Sequence, residues 1–235
     1  MSRNALEMAE VANLIGDVSR ANILAALMDG RALTALELSL AAHVTPQTAS
    51  SHLAKLLGAN LLAVEKQGRH RYYRLASAQV ARTLEAVMAL TAQAPPRHRA
   101  QSRPDEELRA ARMCYDHLAG RIGVAIADAL IAHRRIAFDG DAGEVTDSGR
   151  KFFAGLGVDL PPPGSSRRIY CRSCLDWSER RPHVAGLVGA RIANFCFERK
   201  WLARNVASRA LTLTGQGGRM LPRAFDVDLR KAAIG

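Results

Sequence analysis

The sequence predicts a mainly α-helical fold with small β-hairpins. Apolar residues recur at helical spacing in three segments of the N-terminal part, Ala5–Ile15, Val18–Met28 and Ala78–Leu90. The runs Leu61–Glu65 and His70–Leu75 flank a Lys-Gln-Gly-Arg sequence, an arrangement typical of a β-hairpin. The 235-residue chain is 48% hydrophobic and only 5% aromatic, which suits a helical globular protein of two domains.

Two helices joined by a very short turn are predicted in the first quarter of the chain. The sequence Thr-Ala-Leu-Glu from Thr34 has the pattern of a capping box, which starts a short helix running to about Ala42. Thr45 is a good N-cap, and Pro46 suits the first helical position of a second helix that continues to Leu57. Because only two residues remain between these helices, they form a helix-turn-helix.

The second of these helices has an apolar face of leucines and an opposite face of short polar side chains. Such side chains can reach base edges and phosphate oxygens from a helix lying in the major groove. The candidates are Thr45, Gln47, Thr48, Ser50, Ser51, His52 and Lys55. The hairpin that follows has a basic tip, where Arg69 and Arg71 would meet phosphates or the neighbouring minor groove. A helix, a turn and a basic hairpin in this order predict binding to a double-stranded DNA operator.

The charge distribution adds little to this prediction. The formal net charge is +11, which favours polyanionic partners. However, the chain through Gln93 holds nine Lys and Arg against seven Asp and Glu, so that part contributes only +2. The polar helix itself therefore carries the DNA-binding prediction.

The N-terminal part is also expected to form a homodimer. The first helix and Ala78–Leu90 together present more apolar surface than a domain of about 90 residues needs for its own core. No apolar run approaches the roughly 18 residues that span a membrane, and Met1–Arg20 lacks the order of a signal peptide. We therefore expect a cytoplasmic protein without a membrane partner.

The segment from about Ala5 to Leu90 resembles the ArsR/SmtB family of bacterial winged helix-turn-helix regulators. The resemblance lies in the strings T-P-Q-T-A-S-S-H-L-A-K-L-L-G-A-N-L-L and G-R-H-R-Y-Y-R-L. It implies a dimeric, operator-binding transcription factor, usually a repressor that an effector releases from DNA. Carried across by position, the recognition role falls to Gln47, Thr48, Ser50, Ser51 and His52, and the wing role to Arg69 and Arg71.

The chain departs from the family at both of the family's metal sites. Arsenic-sensing members carry clustered cysteines in the helix before the turn, whereas Thr34–Ala42 has none. Zinc-sensing members carry carboxylate and histidine ligands in the helix after the wing, whereas Ser77–Gln93 has only Glu85. Neither family metal site can be assigned here.

The C-terminal part contains an internal duplication. His117–Ile136 aligns without gaps on His183–Leu202, with His, Ala, Gly, Gly, Ile and Ala identical at equivalent positions. Cys-Tyr-Asp from Cys114 likewise matches Cys-Leu-Asp from Cys174. Each copy is predicted to be a helix-hairpin-helix unit whose last helix is capped by a threonine, with the repeats at about residues 114–160 and 174–229.

Thiol and imidazole side chains recur in both copies. Cys114 and His117, predicted to lie three apart on one helical face, correspond to Cys174 and His183, so these groups would converge if the copies pack about a pseudo-twofold axis. The effector or metal candidates are Cys114, His117, Cys171, Cys174 and His183, together with Trp177 at the start of a six-residue insertion. Thiolate and imidazole ligands suit zinc, Cu(I) or a metalloid. For the Cys171-x-x-Cys174 pair, redox sensing and a plain structural role remain open beside metal binding. Cys196 lies beside Phe195 and Phe197 on an apolar face and is predicted to be a core residue.

These patterns predict three segments: a DNA-binding and dimerisation domain at 1–93, a linker at 94–104, and a C-terminal sensor domain at 105–235. The predicted function is an effector-responsive dimeric repressor that is not an enzyme. Its effector is an unidentified small molecule, metal or oxidant, and its cofactor is unknown. The alternative is a thiol-dependent enzyme or redox protein that the N-terminal domain targets to DNA.

Overall fold

The computed structural model describes residues 3–93, 103–205 and 208–229. The chain divides into two compact units, Met1–Leu84 and Glu85–Gly235, with the boundary inside a helix. Most of the predicted linker at 94–104 lies outside the described residues, and its last two residues, Arg103 and Pro104, begin a helix. Among the helices of the described ranges, none is both long and apolar enough to cross a bilayer.

The first unit contains the predicted helix-turn-helix and hairpin. Its helices are α1 (Arg3–Gly16), α2 (Val18–Ala26), α3 (Ala35–Ala42), α4 (Pro46–Gly58) and α5 (Ala78–Gln93), the last of which continues past the unit boundary. Its strands are β1 (Leu33–Thr34), β2 (Leu62–Gln67) and β3 (His70–Leu75). They form an antiparallel sheet in the order β1-β3-β2.

Local sequence signals account for the starts of α3 and α4. The Thr34 hydroxyl accepts from the backbone N–H of Glu37, whose carboxylate accepts from the backbone N–H of Thr34 at 2.7 Å, so the predicted capping box is confirmed. The Thr45 hydroxyl accepts from the backbone N–H of Thr48 at 3.2 Å, and Pro46 occupies the first turn of α4. The turn between α3 and α4 is short because His43 adopts a left-handed conformation with φ 55°.

The β2–β3 hairpin is longer than predicted. Strand β2 continues to Gln67, which pairs with His70, so only Gly68 and Arg69 remain in the turn. A two-residue hairpin turn requires a positive φ at its first position, and Gly68 supplies it with φ 59°.

The second unit begins with α6 (Arg103–Ala110) and then repeats one order of elements. Its first half consists of β4 (Arg112–Cys114), β5 (His117–Ala119), α7 (Gly120–Ala132), β6 (Ile136–Asp139), β7 (Ala142–Val145) and α8 (Asp147–Leu156). Its second half consists of β8 (Arg172–Leu175), β9 (Pro182–Ala185), α9 (Gly186–Glu198), β10 (Leu202–Arg204), β11 (Leu211–Leu213) and α10 (Gly215–Phe225). Each half is therefore hairpin-helix-hairpin-helix, one hairpin more than the predicted helix-hairpin-helix.

The additional hairpin corrects the predicted placement of two site residues. Cys114 and His117 do not share a helical face; they pair directly across β4 and β5, with Tyr115 and Asp116 in the turn. Tyr115 adopts φ 60°, which reverses the chain. Helix α7 starts only at Gly120. This glycine has a left-handed backbone conformation, which interrupts a right-handed helix, so α7 does not extend back towards Cys114.

Two equivalent backbone pairings join the halves of the second unit, each between the first strand of one half and the second hairpin of the other half. Ala142 of β7 pairs with Arg172 of β8, and Ala210 bridges Arg112 of β4. These four residues occupy equivalent places in the two halves. Both final helices are capped as predicted, by the hydroxyl of Thr146 or Thr214, which accepts from a backbone N–H three residues on.

Glycines allow the halves to approach closely. A Cβ on Gly123 would lie 2.5 Å from the Leu118 carbonyl oxygen and 3.7 Å from Cβ of His183. A Cβ on Gly189 would lie 2.3 Å from the Val184 carbonyl oxygen and 3.0 Å from Cβ of His117. Each histidine therefore packs on a glycine in the helix of the other half, which places both imidazoles at the centre of the unit.

Candidate nucleic-acid interface and a buried cysteine-histidine cluster

Helix α4 is amphipathic in the sense that DNA recognition requires. Its inner face is Ala49, Leu53 and Leu56, none of them more than 1% exposed. Its exposed outer face carries Thr45, Gln47, Thr48, Ser50, Ser51 and Lys55. The leucines hold the helix on the unit while the polar groups point to solvent.

The outer groups of α4 differ in whether their hydrogen-bonding capacity is already used. The Thr45 and Thr48 hydroxyls bond each other at 2.9 Å, and the Ser50 hydroxyl donates to the Pro46 carbonyl oxygen at 2.9 Å. Among the described residues, the side chains of Gln47 and Ser51 have no intramolecular hydrogen bond. These two groups are the ones most available to base edges.

His52 is placed differently from the other residues predicted to face DNA. Its side chain is only 14% exposed, and its Nδ1 lies 4.0 Å from a carboxylate oxygen of Asp17, the N-cap of α2. The ring therefore turns from the outer face of α4 towards the start of α2.

The hairpin β2–β3 forms a basic wing. Arg69 in its turn and Arg71 on β3 are both exposed, as are Lys66, His70 and Arg74 nearby. Its base is anchored by the buried side chains of Leu62, Tyr73 and Leu75. A rigid base with cationic side chains at the tip suits contacts to phosphate.

The second unit brings four of the predicted effector or metal residues together. Cys114 pairs with His117 across one hairpin, and Cys174 pairs with His183 across the hairpin of the other half. The six-residue insertion lengthens the second hairpin by the pair Leu175–Pro182 and enlarges its loop, but it leaves the Cys–His pairing unchanged.

The four side chains form a compact buried group, the Cys2His2 cluster. The two Sγ atoms lie 4.0 Å apart, and the imidazole rings stack with centroids 5.1 Å apart. One donor atom from each residue lies within 4.8 Å of all the others. Exposure is 9% for Cys174, 3% for Cys114, 2% for His117 and zero for His183.

A carboxylate lies beside the Nδ1 atom of each imidazole. Asp116 Oδ1 bonds His117 Nδ1 at 3.1 Å, whereas Asp176 Oδ2 lies 3.6 Å from His183 Nδ1, too far for a hydrogen bond. The Nε2 atoms of both rings are buried and make no well-aligned hydrogen bond to any described residue, although both rings lie beside the Cys174 thiol.

The two thiols of the cluster have pKa values shifted in opposite directions. The hydrogen bond from the Cys114 thiol and the proximity of both histidines hold the pKa of Cys174 far below its ordinary value. The shared hydrogen bond and burial raise the pKa of Cys114. Burial opposes the charged form of His117, but its hydrogen bond to Asp116 and the neighbouring Cys174 raise the pKa of its imidazole.

The remaining candidates lie elsewhere. Cys171 is buried where β7 meets β8, with its Sγ 2.8 Å from where a Cβ on Gly143 would lie, and burial raises its pKa to about 12. Cys196 is fully buried in the apolar core. The ring of Trp177 lies under the guanidinium of Arg112, 4.6 Å from its centroid. The C-x-x-C pair is therefore split between two environments.

Sequence reasoning missed the supporting carboxylates. Asp116 and Asp176 occupy equivalent places after the two cysteines, and their repetition was the available signal. It also missed Arg112, whose fully buried side chain forms an ion pair with Asp176 at 2.9 Å. Burial opposes the charged form of Asp176, but Arg112 and His183 outweigh it and hold its pKa well below normal.

An exposed polar helix on a leucine base, a short turn and a basic wing define a winged helix-turn-helix DNA-binding protein. The uncharacterized HTH-type transcriptional regulator YdfF of Bacillus subtilis (strain 168) is 41% identical over 210 residues, which are 89% of this chain and 93% of that protein. The chain belongs to the HTH-type transcriptional regulators. No protein-family model matches the sequence.

Several solved structures resemble the N-terminal part of the chain. HlyU from Vibrio cholerae N16961 is 27% identical with a TM-score of 0.36, covering 40% of this chain and 100% of its own. The homodimeric winged helix-turn-helix domain Mb0332 from Mycobacterium bovis is 26% identical with a TM-score of 0.35, covering 39% and 86%. The antimony-specific repressor AntR is 26% identical with a TM-score of 0.35, covering 39% and 82%.

Proposed function

We propose that this regulator is a dimeric repressor in which α4 contacts the base edges of the operator and the β2–β3 wing contacts the DNA phosphates. The observation that carries the proposal is the outer face of α4, where Gln47 and Ser51 are exposed on a helix anchored by buried leucines. An amide can bond two edge atoms of adenine, and a hydroxyl can donate or accept at any base. The neighbouring Lys55 and the wing arginines then set the position of α4 through phosphate contacts.

Exposed apolar side chains support the homodimer. Helix α1 exposes Leu6 and Met8, which are 49% and 71% accessible, and α5 exposes Leu90 at 66%. Large apolar groups on helices at this level of exposure are typical of a surface that a second copy covers. A twofold dimer would place two copies of α4 on half-sites about one helical turn, or 10 bp, apart.

The C-terminal unit is proposed to receive the regulatory signal, in the cytoplasm. An effector there releases or strengthens DNA binding only if it binds the two conformations of the dimer with different affinity. Catalysis by the clustered thiols is less well supported, because Cys114 and Cys174 are buried against each other and so are shielded from an incoming substrate.

The experiment is selection of bound duplexes from a random library, followed by binding measurements on the selected site. We expect a pseudopalindromic site and, for Gln47→Ala, a loss of discrimination of roughly 5- to 150-fold at the base pair that Gln47 contacts. Gln79→Ala is the matched control, because this residue lies on α5 and bonds Arg82. Failure to select any sequence, or an unchanged preference in the Gln47 variant, would overturn the proposal.

A further inference from the structure

The Cys2His2 cluster has the composition, burial and geometry of a closed metal site that lies outside the DNA-binding unit. We propose that Cys114, His117, Cys174 and His183 bind one zinc-class divalent ion in tetrahedral coordination. The proposal goes beyond operator binding and does not depend on it. Each half of the second unit supplies one thiolate and one imidazole, so the ion would join the two halves.

The distances fit a small tetrahedral ion. Zn–S bonds of about 2.3 Å and Zn–N bonds of about 2.0–2.1 Å place neighbouring donor atoms roughly 3.4–3.8 Å apart. The two Sγ atoms are already 4.0 Å apart, and all four donor atoms lie within 4.8 Å of one another. Each donor therefore needs to move inward by less than about 1 Å, which side-chain rotation on the two hairpins provides.

The charge of the site selects the class of ion. Two thiolates and two neutral imidazoles carry a charge of −2, which a divalent ion neutralises. Burial makes any remaining net charge costly. Cu(I) would leave a net negative charge in the same space. Magnesium and calcium prefer oxygen ligands, which the cluster does not offer. Thiolate and imidazole in a four-coordinate set are the ligands of structural zinc.

The imidazoles are arranged as ligands rather than as ordinary core residues. Asp116 bonds the Nδ1 of His117, and Asp176 lies 3.6 Å from the Nδ1 of His183; carboxylates in these places commonly orient metal-binding histidines. This arrangement leaves each Nε2 directed away from its carboxylate. Both Nε2 atoms are buried without a well-aligned hydrogen bond to any described residue. Burying two such atoms is unfavourable unless something coordinates them.

A disulfide between Cys114 and Cys174 is the main competing use of the cluster. It would need an oxidant, and the two sulfurs would have to close from 4.0 Å to about 2.05 Å. It would also leave the Nε2 atoms of both imidazoles without a well-aligned partner among the described residues. The metal accounts for all four side chains and both carboxylates, whereas the disulfide accounts for two thiols.

The first test uses the full-length protein, purified without a metal-affinity tag. Native mass spectrometry with elemental analysis should find one zinc per chain, and X-ray absorption at the zinc edge should show two sulfur and two nitrogen neighbours. Protein that contains no metal and takes up none from added zinc or cobalt would overturn the proposal. So would a Cys114–Cys174 disulfide in protein purified under reducing conditions, or a zinc shell without sulfur.

Cobalt substitution then tests the assignment to these residues. Co²⁺ in the wild-type protein should show the visible bands of a tetrahedral site and thiolate-to-cobalt charge transfer. Cys174→Ser should weaken Co²⁺ binding and reduce the charge transfer, whereas Cys171→Ser, the matched control three residues away, should change neither. Asp116→Asn keeps all four ligands and should weaken binding by about 10- to 100-fold. An unchanged spectrum in the Cys174 variant would overturn the assignment. None of these readouts involves DNA, so they separate this proposal from operator binding.

Discussion

Arg112 and Asp176 form an ion pair with an N–O distance of 2.9 Å and no solvent exposure of either side chain. The two residues come from different halves of the second unit. Asp176 also accepts from the backbone N–H of Gly120 at 2.6 Å, at the start of α7. The Asp176 carboxylate therefore links the β8–β9 loop to β4 and to the start of α7 in the other half. The same carboxylate lies beside His183.

Asp176→Asn should strongly destabilise the second unit. A neutral amide leaves the buried guanidinium of Arg112 uncompensated, and breaking such a pair from one side costs about 3–5 kcal/mol. Urea unfolding followed by circular dichroism measures this change. Asp128→Asn is the matched control, because the Asp128–Arg181 pair is exposed and should contribute no more than about 1 kcal/mol. Equal losses in the two variants would contradict the structural role of Asp176.

Gly189→Ala and Gly155→Ala should change stability in opposite directions. A Cβ at Gly189 would meet the Val184 carbonyl oxygen at 2.3 Å, so the helix must shift, at a cost of about 1–3 kcal/mol or more. A Cβ at Gly155 in α8 meets no atom within 4 Å, and the alanine should stabilise the helix by about 0.4–1 kcal/mol. Thermal unfolding of the two variants compares them directly. A tolerated alanine at 189 would mean that α9 does not pack so closely on the end of β9.

Arg69→Ala should weaken binding to all DNA sequences alike. The side chain lies at the tip of the wing, where it is exposed and suited to phosphate. Losing one phosphate contact reduces the slope of log affinity against log salt by about 1. Fluorescence anisotropy over a salt series measures this slope, and Arg82→Ala, whose side chain is engaged by Gln79 on α5, serves as the control. An altered base preference in the Arg69 variant would instead indicate direct readout.

Glu37 should make the first unit less stable in acid. The backbone N–H and hydroxyl of Thr34 both bond the Glu37 carboxylate at 2.7 Å and lower its pKa below the ordinary value of 4.5. This stabilisation is present above pH 4.5 and is lost as the pH falls through the folded-state pKa. In Glu37→Gln the amide keeps an acceptor but does not titrate. The difference in unfolding free energy between wild type and variant should therefore shrink on acidification, and a constant difference would contradict the prediction.

Short-range patterns in the sequence were sufficient to predict the DNA-binding unit. The caps at Thr34 and Thr45 and the glycine in the wing turn depend on hydrogen bonds and backbone angles within a few residues. The periodicity of the leucines determined which face of α4 is buried. His52 was the exception, because its orientation depends on Asp17 in another helix.

The buried cluster needed the tertiary structure. The sequence determined which residue types recur in both halves, including Cys114 and its counterpart Cys174. Only the fold decided that the two thiols meet, sixty residues apart in the chain, and that Cys171 does not join them. A cysteine and a histidine three positions apart, such as Cys114 and His117, can lie on one helical face or pair across a tight hairpin, and only the fold shows which occurs. Local backbone preferences are encoded within a few residues, whereas convergence of distant side chains depends on how whole elements pack.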